Sequence, residues 1–225
     1  MANLSKKMQK AISLFDKNKL YSLSIAQKAS ISKFDGSIDV AIKLNLDTKK
    51  VEQQLRGSIV LPHNNGKVAR ILVIDDQLTK DKAKSLGVDY FGGLDIIQDI
   101  EKMLNQIDLI LTTPKMMPAL AKLGKVLGLR GLMPNPKIGT VTTEMEKTII
   151  EFKKGRLEYR TDTYGNIHMC VGKVSSKTSD IVENIEAIIS LLKTKKPATV
   201  KGQYIQNISV APTMGPGVKV LISNN

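Results

Sequence analysis

The residues of this chain that best suit phosphoryl chemistry follow two apolar runs, RILVID and DLILT. Phosphoryl transfer to an aspartate needs an acidic pair that holds magnesium after one strand and an acceptor aspartate at the end of a neighbouring strand. Asp75 and Asp76 supply a pair, but Thr112 and Thr113 occupy the acceptor position. Because a threonine forms no acyl phosphate, this chemistry fails. We interpret Asp75 and Asp76 as solvated loop acids or as a helix N-cap.

Other catalytic and ligand-binding motifs are missing from the sequence. No GxGxxG segment opens a helix after RILVID, and the lysine of NNGK is followed by Val68 rather than by serine or threonine, so nucleotide binding has no motif. As the only cysteine, Cys170 makes no internal disulfide, and we interpret it as a half-buried structural thiol. His63 and His168 lie too far apart in sequence to complete a recognisable zinc set. We therefore expect no enzyme activity, no metal and no cofactor.

The net charge of +13 and the pI near 9.7 are the strongest compositional signals. A basic chain commonly binds a polyanion, because each phosphate that it neutralises releases condensed counterions. Aromatic residues make up only 4% of the chain and tryptophan is missing, so base stacking has a small part in such a contact. No apolar run approaches the roughly 18 residues of a membrane span, and no secretory signal is recognisable. The expected location is the cytoplasm.

Two short segments carry residue types that suit RNA. In the turn PTMGPG, residues 212–217, Gly215 leaves backbone N–H groups unobstructed, and the Thr213 hydroxyl suits contact with an RNA sugar or phosphate. Lys33 and Phe34, before a strand, are a second candidate. Each segment also has a purely structural interpretation. PTMGPG can be a tight hairpin chosen for its geometry, and Lys33 with Phe34 can be a solvated lysine beside the apolar start of a strand.

The elements that position these segments share one pattern in the first and last thirds of the chain. Residues 37–46 alternate apolar and polar side chains, which predicts a strand with one buried face. Residues 180–193 form a predicted helix with an apolar stripe, an acidic first turn and a lysine-rich end that suits the helix dipole. Further strands are predicted over 56–61, 156–160, 166–173, 203–210 and 218–222, and further helices over 5–17 and 24–30.

The middle third alternates strands with helices. RILVID is a short apolar run typical of a fully buried parallel strand. The predicted order is strand 70–75, helix 78–86, strand 89–93, helix 94–104, strand 107–111, helix 116–127 and helix 143–154. Such repeated units predict a Rossmann-like parallel sheet with helices on both faces. Residues 127–142 contain three glycines and two prolines, and we expect an ordered loop rather than an ordinary connector.

These patterns predict an α/β protein of two domains. One is a discontinuous α+β domain formed by residues 1–65 and 157–225, and the other is an inserted Rossmann-like α/β domain of residues 66–156. Residues 1–65 contain 11 basic and 5 acidic side chains, and residues 151–225 contain 11 and 6, so these parts carry +11 of the +13. We therefore expect a polyanion to bind mainly to the discontinuous domain.

Several longer motifs occur together in one order. They are KFD before the first long strand, RGSIVLPH, GLRGLMPNPKIGTVT, NIHMCVGK, and KGQYI followed by TMGPG. Through these motifs nearly the whole chain resembles the bacterial type of the ribosomal protein L-one family, the protein of the mobile stalk beside the exit site of the large subunit. The resemblance implies a two-domain protein whose terminal domain is formed from both ends of the chain.

The resemblance also implies a function. It predicts a non-enzymatic protein of the cytoplasmic ribosome that binds large-subunit stalk rRNA, assists release of deacylated tRNA from the exit site, and represses translation of its own mRNA. The partners would be rRNA, exit-site tRNA and that mRNA, with no membrane contact, and the protein would be a monomer off the ribosome. The RNA-binding residues implied by motif match are Lys33, Phe34, Lys173, Thr213, Met214 and Gly215.

The sequence departs from the family pattern near this expected interface. The segment between Tyr21 and Lys33 is about one helical turn shorter, and Gly36 stands where an acid is expected, so the chain leading into the first long strand is expected to differ. Asn207 stands where serine is frequent. The alternative to the ribosomal interpretation is a phosphate- or nucleotide-handling α/β protein of the receiver type, with its chemistry in residues 66–155.

Overall fold

The structure is a computed structural model of the chain, and it describes residues 5–14, 16, 19–21, 34–76 and 80–220. The chain forms two compact units. The terminal unit consists of Met1–Gly66 and Leu157–Asn225, and the inserted unit consists of Lys67–Arg156. None of the helices in the described residues is long and apolar enough to span a membrane. That each unit folds as an independent domain stays a prediction.

The secondary structure of the described residues follows the predicted order of elements. The strands are β1 (Ser37–Leu44), β2 (Arg56–Val60), β3 (Ile71–Ile74), β4 (Tyr90–Gly92), β5 (Leu109–Thr112), β6 (Arg156–Arg160), β7 (Asn166–Lys173), β8 (Ile205–Pro212) and β9 (Val218–Lys219). The α-helices are α1 (Lys6–Ser13), α2 (Lys80–Ser85), α3 (Leu94–Met103), α4 (Met117–Ala121), α5 (Gly124–Leu129), α6 (Met145–Lys153) and α7 (Thr178–Thr194). The helix predicted over 24–30 lies outside the described residues, as does the shortened segment over 22–33.

The terminal unit is built on a four-stranded antiparallel sheet in the order β7-β1-β8-β9. Along β1 every second residue from Ile38 to Leu44 is buried, as the alternation predicts. Helix α7 contributes an apolar stripe to the same core, and this stripe consists of Ile181, Ile185, Ile188 and Leu192. Strands β2 and β6 form a second, two-stranded sheet whose Ile59 and Tyr159 also join this core.

A polar residue of α7 ties this helix to the sheet. Asn184 is 1% exposed, and its side-chain oxygen accepts a hydrogen bond from the His63 N–H at 3.0 Å. Its amide nitrogen donates to the carbonyl oxygens of His63 at 3.1 Å and of Val171 at 2.9 Å. These partners matter because a buried polar group without one costs about 1–3 kcal/mol. Asn184 therefore fixes the segment that leads to Gly66 against β7 and α7.

The inserted unit contains a three-stranded parallel sheet in the order β4-β3-β5. All four residues of β3 are buried, and their side chains alternate between two apolar clusters. Leu72 and Ile74 pack with residues of α3, α4 and α5, whereas Ile71 and Val73 pack with residues of α6. RILVID lacks alternation because helices cover both faces of this strand. The predicted parallel sheet with helices on both faces is confirmed.

The predicted helix over residues 116–127 is interrupted. A 3₁₀ turn at Pro114–Met116 leads into α4, and α5 starts only at Gly124, after Leu123 has left the helical region with φ −92° and ψ 8°. Glycine is a poor helix former, which favours a break at this point. Leu120 and Leu127 nevertheless lie in one cluster, and this explains why their spacing suggested a continuous helix. Because α5 runs to Leu129, the glycine-proline loop starts later than predicted.

The glycine-proline loop is ordered by its own hydrogen bonds, as predicted. The Asn135 N–H donates to the Thr140 hydroxyl at 2.7 Å, and the Asn135 side chain accepts from the Lys137 N–H at 2.8 Å. Beyond this network, Val141 makes a parallel bridge with Thr112 at the end of β5. The loop is therefore a fixed part of the inserted unit that extends the pairing of its sheet.

Candidate nucleic-acid interface

Strand register brings separate segments of the chain to one end of the four-stranded sheet. Ser37 at the start of β1 pairs with Lys173 at the end of β7, and the next residue of β1 pairs with Pro212 at the end of β8. Phe34 precedes β1 by three residues, and residues 213–215 directly follow β8. We call this group the sheet-end cluster, and it consists of Phe34, Lys173, Thr213, Met214 and Gly215.

The turn after β8 is closed by hydrogen bonds within the protein. The carbonyl oxygen of Ser37 accepts from the N–H and from the hydroxyl of Thr213, each at 2.9 Å. The Gly215 N–H donates to the Pro212 carbonyl oxygen at 3.0 Å. The expectation that this turn leaves backbone N–H groups open is therefore wrong for these two groups, because the turn uses them for its own closure. What it presents to solvent is the Thr213 hydroxyl oxygen and the Met214 side chain, which is 52% exposed.

Lys173 is held along its length by neighbours. Its stem lies against Gly66, which has φ +72° and where a Cβ atom would come within 3.0–3.1 Å of three side-chain carbons of the lysine. The Lys173 N–H donates to the Ser176 hydroxyl at 3.2 Å, and its ammonium nitrogen lies 3.9 Å from Asp35 Oδ2. The side chain is 38% exposed. A partly exposed ammonium with a supported stem is well suited to a phosphate contact.

The remaining candidates differ in how the structure places them. Phe34 is 59% exposed, which is high for a large aromatic side chain and leaves its ring accessible for stacking on a base. Lys33 lies outside the described residues. Asn207 on β8 donates to the Ser209 hydroxyl at 3.2 Å, so its side chain is already engaged within the sheet.

The outer face of the sheet beside the cluster is polar. Asp39 on β1 pairs with Cys170 on β7. Although Asp39 is exposed by surface area, the neighbouring strands partly desolvate its carboxylate, and this raises its pKa more than a hydrogen bond from the Cys170 thiol lowers it. Cys170 is half-buried, as predicted, and His168 is exposed with its ring nitrogen 3.7 Å from an Asp162 oxygen. Across the described part of the chain, no group of three His, Cys, Asp or Glu side chains is arranged to hold a metal ion.

A second basic surface lies at the opposite end of the same sheet. Leu44, the last residue of β1, pairs with Ile205, the first residue of β8, so residues 45–54, 161–165 and 195–204 come together there. The eight residues of β1 are joined by seven steps of about 3.3 Å, so the two ends of the sheet lie roughly 23 Å apart. This end is therefore distinct from the sheet-end cluster.

Hydrogen bonds join the three loops at this end. The Thr48 hydroxyl donates to the Thr163 carbonyl oxygen at 2.6 Å, and the Gln53 amide donates to the Thr199 hydroxyl at 3.3 Å. Tyr164 is 75% exposed at the tip of its turn. We call these exposed residues the distal surface, and they are Lys49, Lys50, Tyr164, Lys195, Lys196 and Lys201.

No sequence motif marks the distal surface, and the only feature of the sequence that indicates it is an excess of positive charge. Glu186 is the last acidic residue of the chain, so residues 187–225 contain five lysines and no aspartate or glutamate. Lys195 and Lys196 follow the carboxyl end of α7, where the helix dipole favours cations. Lys49 and Lys50 are distant from these lysines in sequence. They lie on the same surface because strand pairing brings residues 45–54 to this end of the sheet.

The net charges of the two units differ less than the sequence division suggests. Met1–Gly66 and Leu157–Asn225 contain 19 basic and 10 acidic residues, which gives +9, and Lys67–Arg156 contains 15 and 11, which gives +4. The predicted value of +11 included residues 151–156, which belong to the inserted unit and contribute +2 through Glu151, Lys153, Lys154 and Arg156. The terminal unit still carries most of the net charge.

The inserted unit does not place its acidic pair for phosphoryl chemistry. Thr112 is fully buried at the end of β5, and its hydroxyl oxygen lies 3.4 Å from the Ile74 carbonyl oxygen. The interpretation of Asp75 as a solvated acid is wrong, because its N–H continues the pairing with β4 and its side chain is 6% exposed. A cavity of about 390 Å³ beside Asp75 is also lined by Glu144 and Glu146, which disfavour an anionic nucleotide despite two lysines.

Comparisons with known proteins identify relatives over the whole chain. A sequence model described as the ribosomal protein L1p/L10e family matches residues 26–216. The chain is 65% identical over 229 aligned residues to the large ribosomal subunit protein uL1 of Ureaplasma urealyticum serovar 10, and 66% identical to that of Ureaplasma parvum serovar 3, with both chains fully covered in each case. It is 54% identical over 224 residues to the uL1 protein of Mycoplasmoides gallisepticum, and the alignment covers 98% of each chain.

Proposed function

Because the chain belongs to the ribosomal protein L1p/L10e family, we propose that it binds the stalk rRNA of the large ribosomal subunit through its sheet-end cluster. A member of this family is a structural component of the ribosome rather than an enzyme. The observation that carries the proposal is the strand register, which joins Phe34, Lys173 and residues 213–215 at one end of one sheet. The corresponding location is the ribosome in the cytoplasm.

The cluster suits a folded RNA because its groups match three different parts of a nucleotide. The exposed Phe34 ring can stack on an unpaired base, a contact worth about 1–3 kcal/mol. The Lys173 ammonium can pair with a phosphate, and the Thr213 hydroxyl oxygen can accept from a ribose 2′-hydroxyl. Met214 adds an apolar surface. Recognition then depends on the shape of the RNA and its 2′-hydroxyls more than on base sequence.

The distal surface is the part of the terminal unit that we assign to exit-site tRNA. Its lysines are exposed, and among their ammonium groups in the described residues only that of Lys50 forms an ion pair, at 3.9 Å from Asp47. Such a surface attracts phosphates and offers the exposed Tyr164 ring for stacking. Because the two ends of the sheet are roughly 23 Å apart, rRNA and tRNA can be bound at the same time. Assistance in the release of deacylated tRNA follows from this double contact.

Repression of the protein's own mRNA is proposed to use the sheet-end cluster again. An mRNA segment that folds like the stalk rRNA would meet the same aromatic, ammonium and hydroxyl groups. The two RNAs would then compete for one surface, so free rRNA relieves repression by mass action. Competition between a stalk rRNA transcript and the leader of this mRNA for the full chain tests this part of the proposal, and simultaneous binding of both would contradict it.

A salt-dependent titration tests the proposed rRNA binding. The full chain is titrated with a transcript of large-subunit stalk rRNA and with an unrelated RNA of equal length. Phosphate contacts weaken with salt for both RNAs, so a preference for the stalk transcript that persists at raised salt supports specific recognition. Equal affinity for the two RNAs at each salt concentration would reduce the interaction to nonspecific binding of a basic protein.

A further inference from the structure

We infer that Asp35 is a positioning residue for RNA binding, which fastens the segment carrying Phe34 to the turn after β7. The inference rests on the proposed function, since it gives a role to a neighbour of the sheet-end cluster. Asp35 is a carboxylate on a surface proposed to meet phosphates, where its charge alone would oppose binding. Its hydrogen bonds explain what it contributes instead.

Both carboxylate oxygens of Asp35 bind Ser175. Oδ1 accepts from the Ser175 N–H at 3.0 Å, and Oδ2 accepts from the Ser175 hydroxyl at 2.8 Å. At the next residue, the Gly36 carbonyl oxygen accepts from the Val174 N–H at 2.9 Å. These three hydrogen bonds lie just beyond the paired part of β1 and β7. We call them the Asp35 clasp.

The Asp35 clasp orders the backbone next to Phe34 before any RNA arrives. Fixing the backbone of a residue costs conformational entropy. Because the clasp holds Asp35 and Gly36 in the free protein, RNA binding does not have to provide that free energy, and the affinity is correspondingly higher. Phe34 is 59% exposed, so deep burial does not hold its ring in place, and the adjacent clasp contributes to its position.

The same carboxylate also lies near Lys173 without binding it tightly. The Lys173 Nζ to Asp35 Oδ2 distance is 3.9 Å, and the two side chains are 38% and 41% exposed. An ion pair this exposed contributes little to stability, so a phosphate can replace the carboxylate as the lysine's partner. The hydrogen bonds to Ser175 do not depend on that exchange, and Asp35 stays in place when RNA binds.

An electrostatic role and a positioning role for Asp35 predict opposite changes in RNA affinity when the residue is replaced. Removal of a negative charge from an RNA-binding surface strengthens binding when only electrostatics acts. Removal of the clasp weakens binding when Asp35 positions Phe34, because the freed segment must be ordered again. The sign of the change in affinity therefore separates the two roles.

The experiment titrates the full chain and three variants with a transcript of large-subunit stalk rRNA and with an unrelated RNA of equal length. We expect Asp35→Ala to lose about tenfold in affinity for the stalk transcript, from two lost hydrogen bonds, and to lose nothing for the unrelated RNA. Ser175→Ala removes the hydroxyl but keeps the N–H, so its loss should be about threefold. Glu186→Gln is the control, because it removes an exposed carboxylate of α7 without touching the clasp, and it should bind at least as tightly as the unchanged chain.

A double-mutant cycle tests whether Asp35 acts through Phe34. We expect Asp35→Ala combined with Phe34→Ala to bind about as weakly as Phe34→Ala alone, because a positioning role has no effect once the ring is gone. Losses that simply add would overturn the inference, and so would unchanged or tighter binding by Asp35→Ala. Should Asp35→Ala fail to fold by circular dichroism, Ser175→Ala enters the same cycle under the same criteria.

The outcomes for the unchanged chain separate this inference from the proposed function. If the unchanged chain prefers the stalk transcript and Asp35→Ala binds that transcript with the same affinity, only the positioning role is overturned. If the unchanged chain shows no preference between the two RNAs, the proposed function fails, and the inference falls with it.

Discussion

The carbonyl oxygen of Ser37 accepts two hydrogen bonds from Thr213, one from the N–H and one from the hydroxyl, each at 2.9 Å. This pair fastens the start of β1 to the turn after β8, so the two segments of the sheet-end cluster keep a fixed separation. The Thr213 hydroxyl therefore has two uses. Its hydrogen serves the protein, and its oxygen can still accept a hydrogen bond from RNA.

Thr213→Val removes the hydroxyl and keeps the branched shape of the side chain. We expect its binding free energy for stalk rRNA to weaken by roughly 1–3 kcal/mol and its unfolding free energy to fall by at most about 1 kcal/mol, because the lost intramolecular bond is exposed. RNA titration and urea denaturation measure the two effects. Thr213→Ser keeps the hydroxyl and should retain both the RNA affinity and the unfolding free energy of the unchanged chain. Unchanged RNA affinity in Thr213→Val would exclude the hydroxyl from the interface.

Lys195→Glu combined with Lys196→Glu reverses charge on the distal surface. We expect the double variant to bind deacylated tRNA at least about tenfold more weakly, with a smaller salt dependence, because phosphate contacts are lost. Its affinity for stalk rRNA should be nearly unchanged. Phe34→Ala is the matched control, for which the opposite pattern is expected. Equal losses for both RNAs in each variant would show that the two ends of the sheet are not separate surfaces.

Gly139 should be essential to the glycine-proline loop, because it has φ +83° and a Cβ atom there would lie 2.5 Å from Arg156 Nη2. That nitrogen donates to the Ile138 carbonyl oxygen at 2.8 Å, so it cannot move without cost. We expect Gly139→Ala to lower the unfolding free energy by more than about 1 kcal/mol. Gly128→Ala is the control, since a Cβ there meets nothing within 4 Å in α5, and it should be neutral or stabilising by up to about 1 kcal/mol. Equal effects in urea denaturation would contradict this account.

The pair formed by His63 and Glu183 should make stability depend on pH. The ring Nε2 lies 2.6 Å from Glu183 Oε2, and this hydrogen bond, with the nearby charges of Asp180 and Glu183, raises the pKa of His63 above 6.5. The pair stabilises the folded chain fully at pH values below 6.5, the pKa of His63 in the unfolded state. This stabilisation is lost as pH rises through the higher pKa of His63 in the folded state. Urea denaturation between about pH 5.5 and 8.5 should show this loss in the unchanged chain and a smaller one in Glu183→Gln. Identical pH profiles would exclude the pair as the cause.

Local patterns predicted most elements of the fold because the elements themselves follow local rules. The alternation from Ile38 to Leu44 and the unbroken run of RILVID each reflect how many faces of a strand are buried, and both predictions are confirmed. The helix over 116–127 was predicted as continuous, since Leu120 and Leu127 have helical spacing and share one cluster. The break at Leu123 depends on backbone geometry that apolar spacing does not report.

The candidate interface was only partly predictable, because its assembly depends on pairing between distant segments. Sequence motifs predicted Phe34, Lys173 and residues 213–215 as RNA-binding residues. Their proximity follows from the registers in which β7 and β8 pair with β1. The use of the Thr213 and Gly215 N–H groups within the turn could not be inferred from PTMGPG alone. For the distal surface, the sequence alone shows that no acidic residue follows Glu186. That residues 195–204 lie beside residues 45–54 follows only from the strand pairing.

Hydrogen–deuterium exchange of the full chain, with and without a stalk rRNA transcript, tests most directly whether the sheet-end cluster is the rRNA interface. We predict that RNA slows exchange in residues 34–37, 173–176 and 213–215, and leaves exchange in residues 45–54 and 195–204 unchanged. Slower exchange confined to those distal loops or to the inserted unit, with none at the sheet-end cluster, would contradict it.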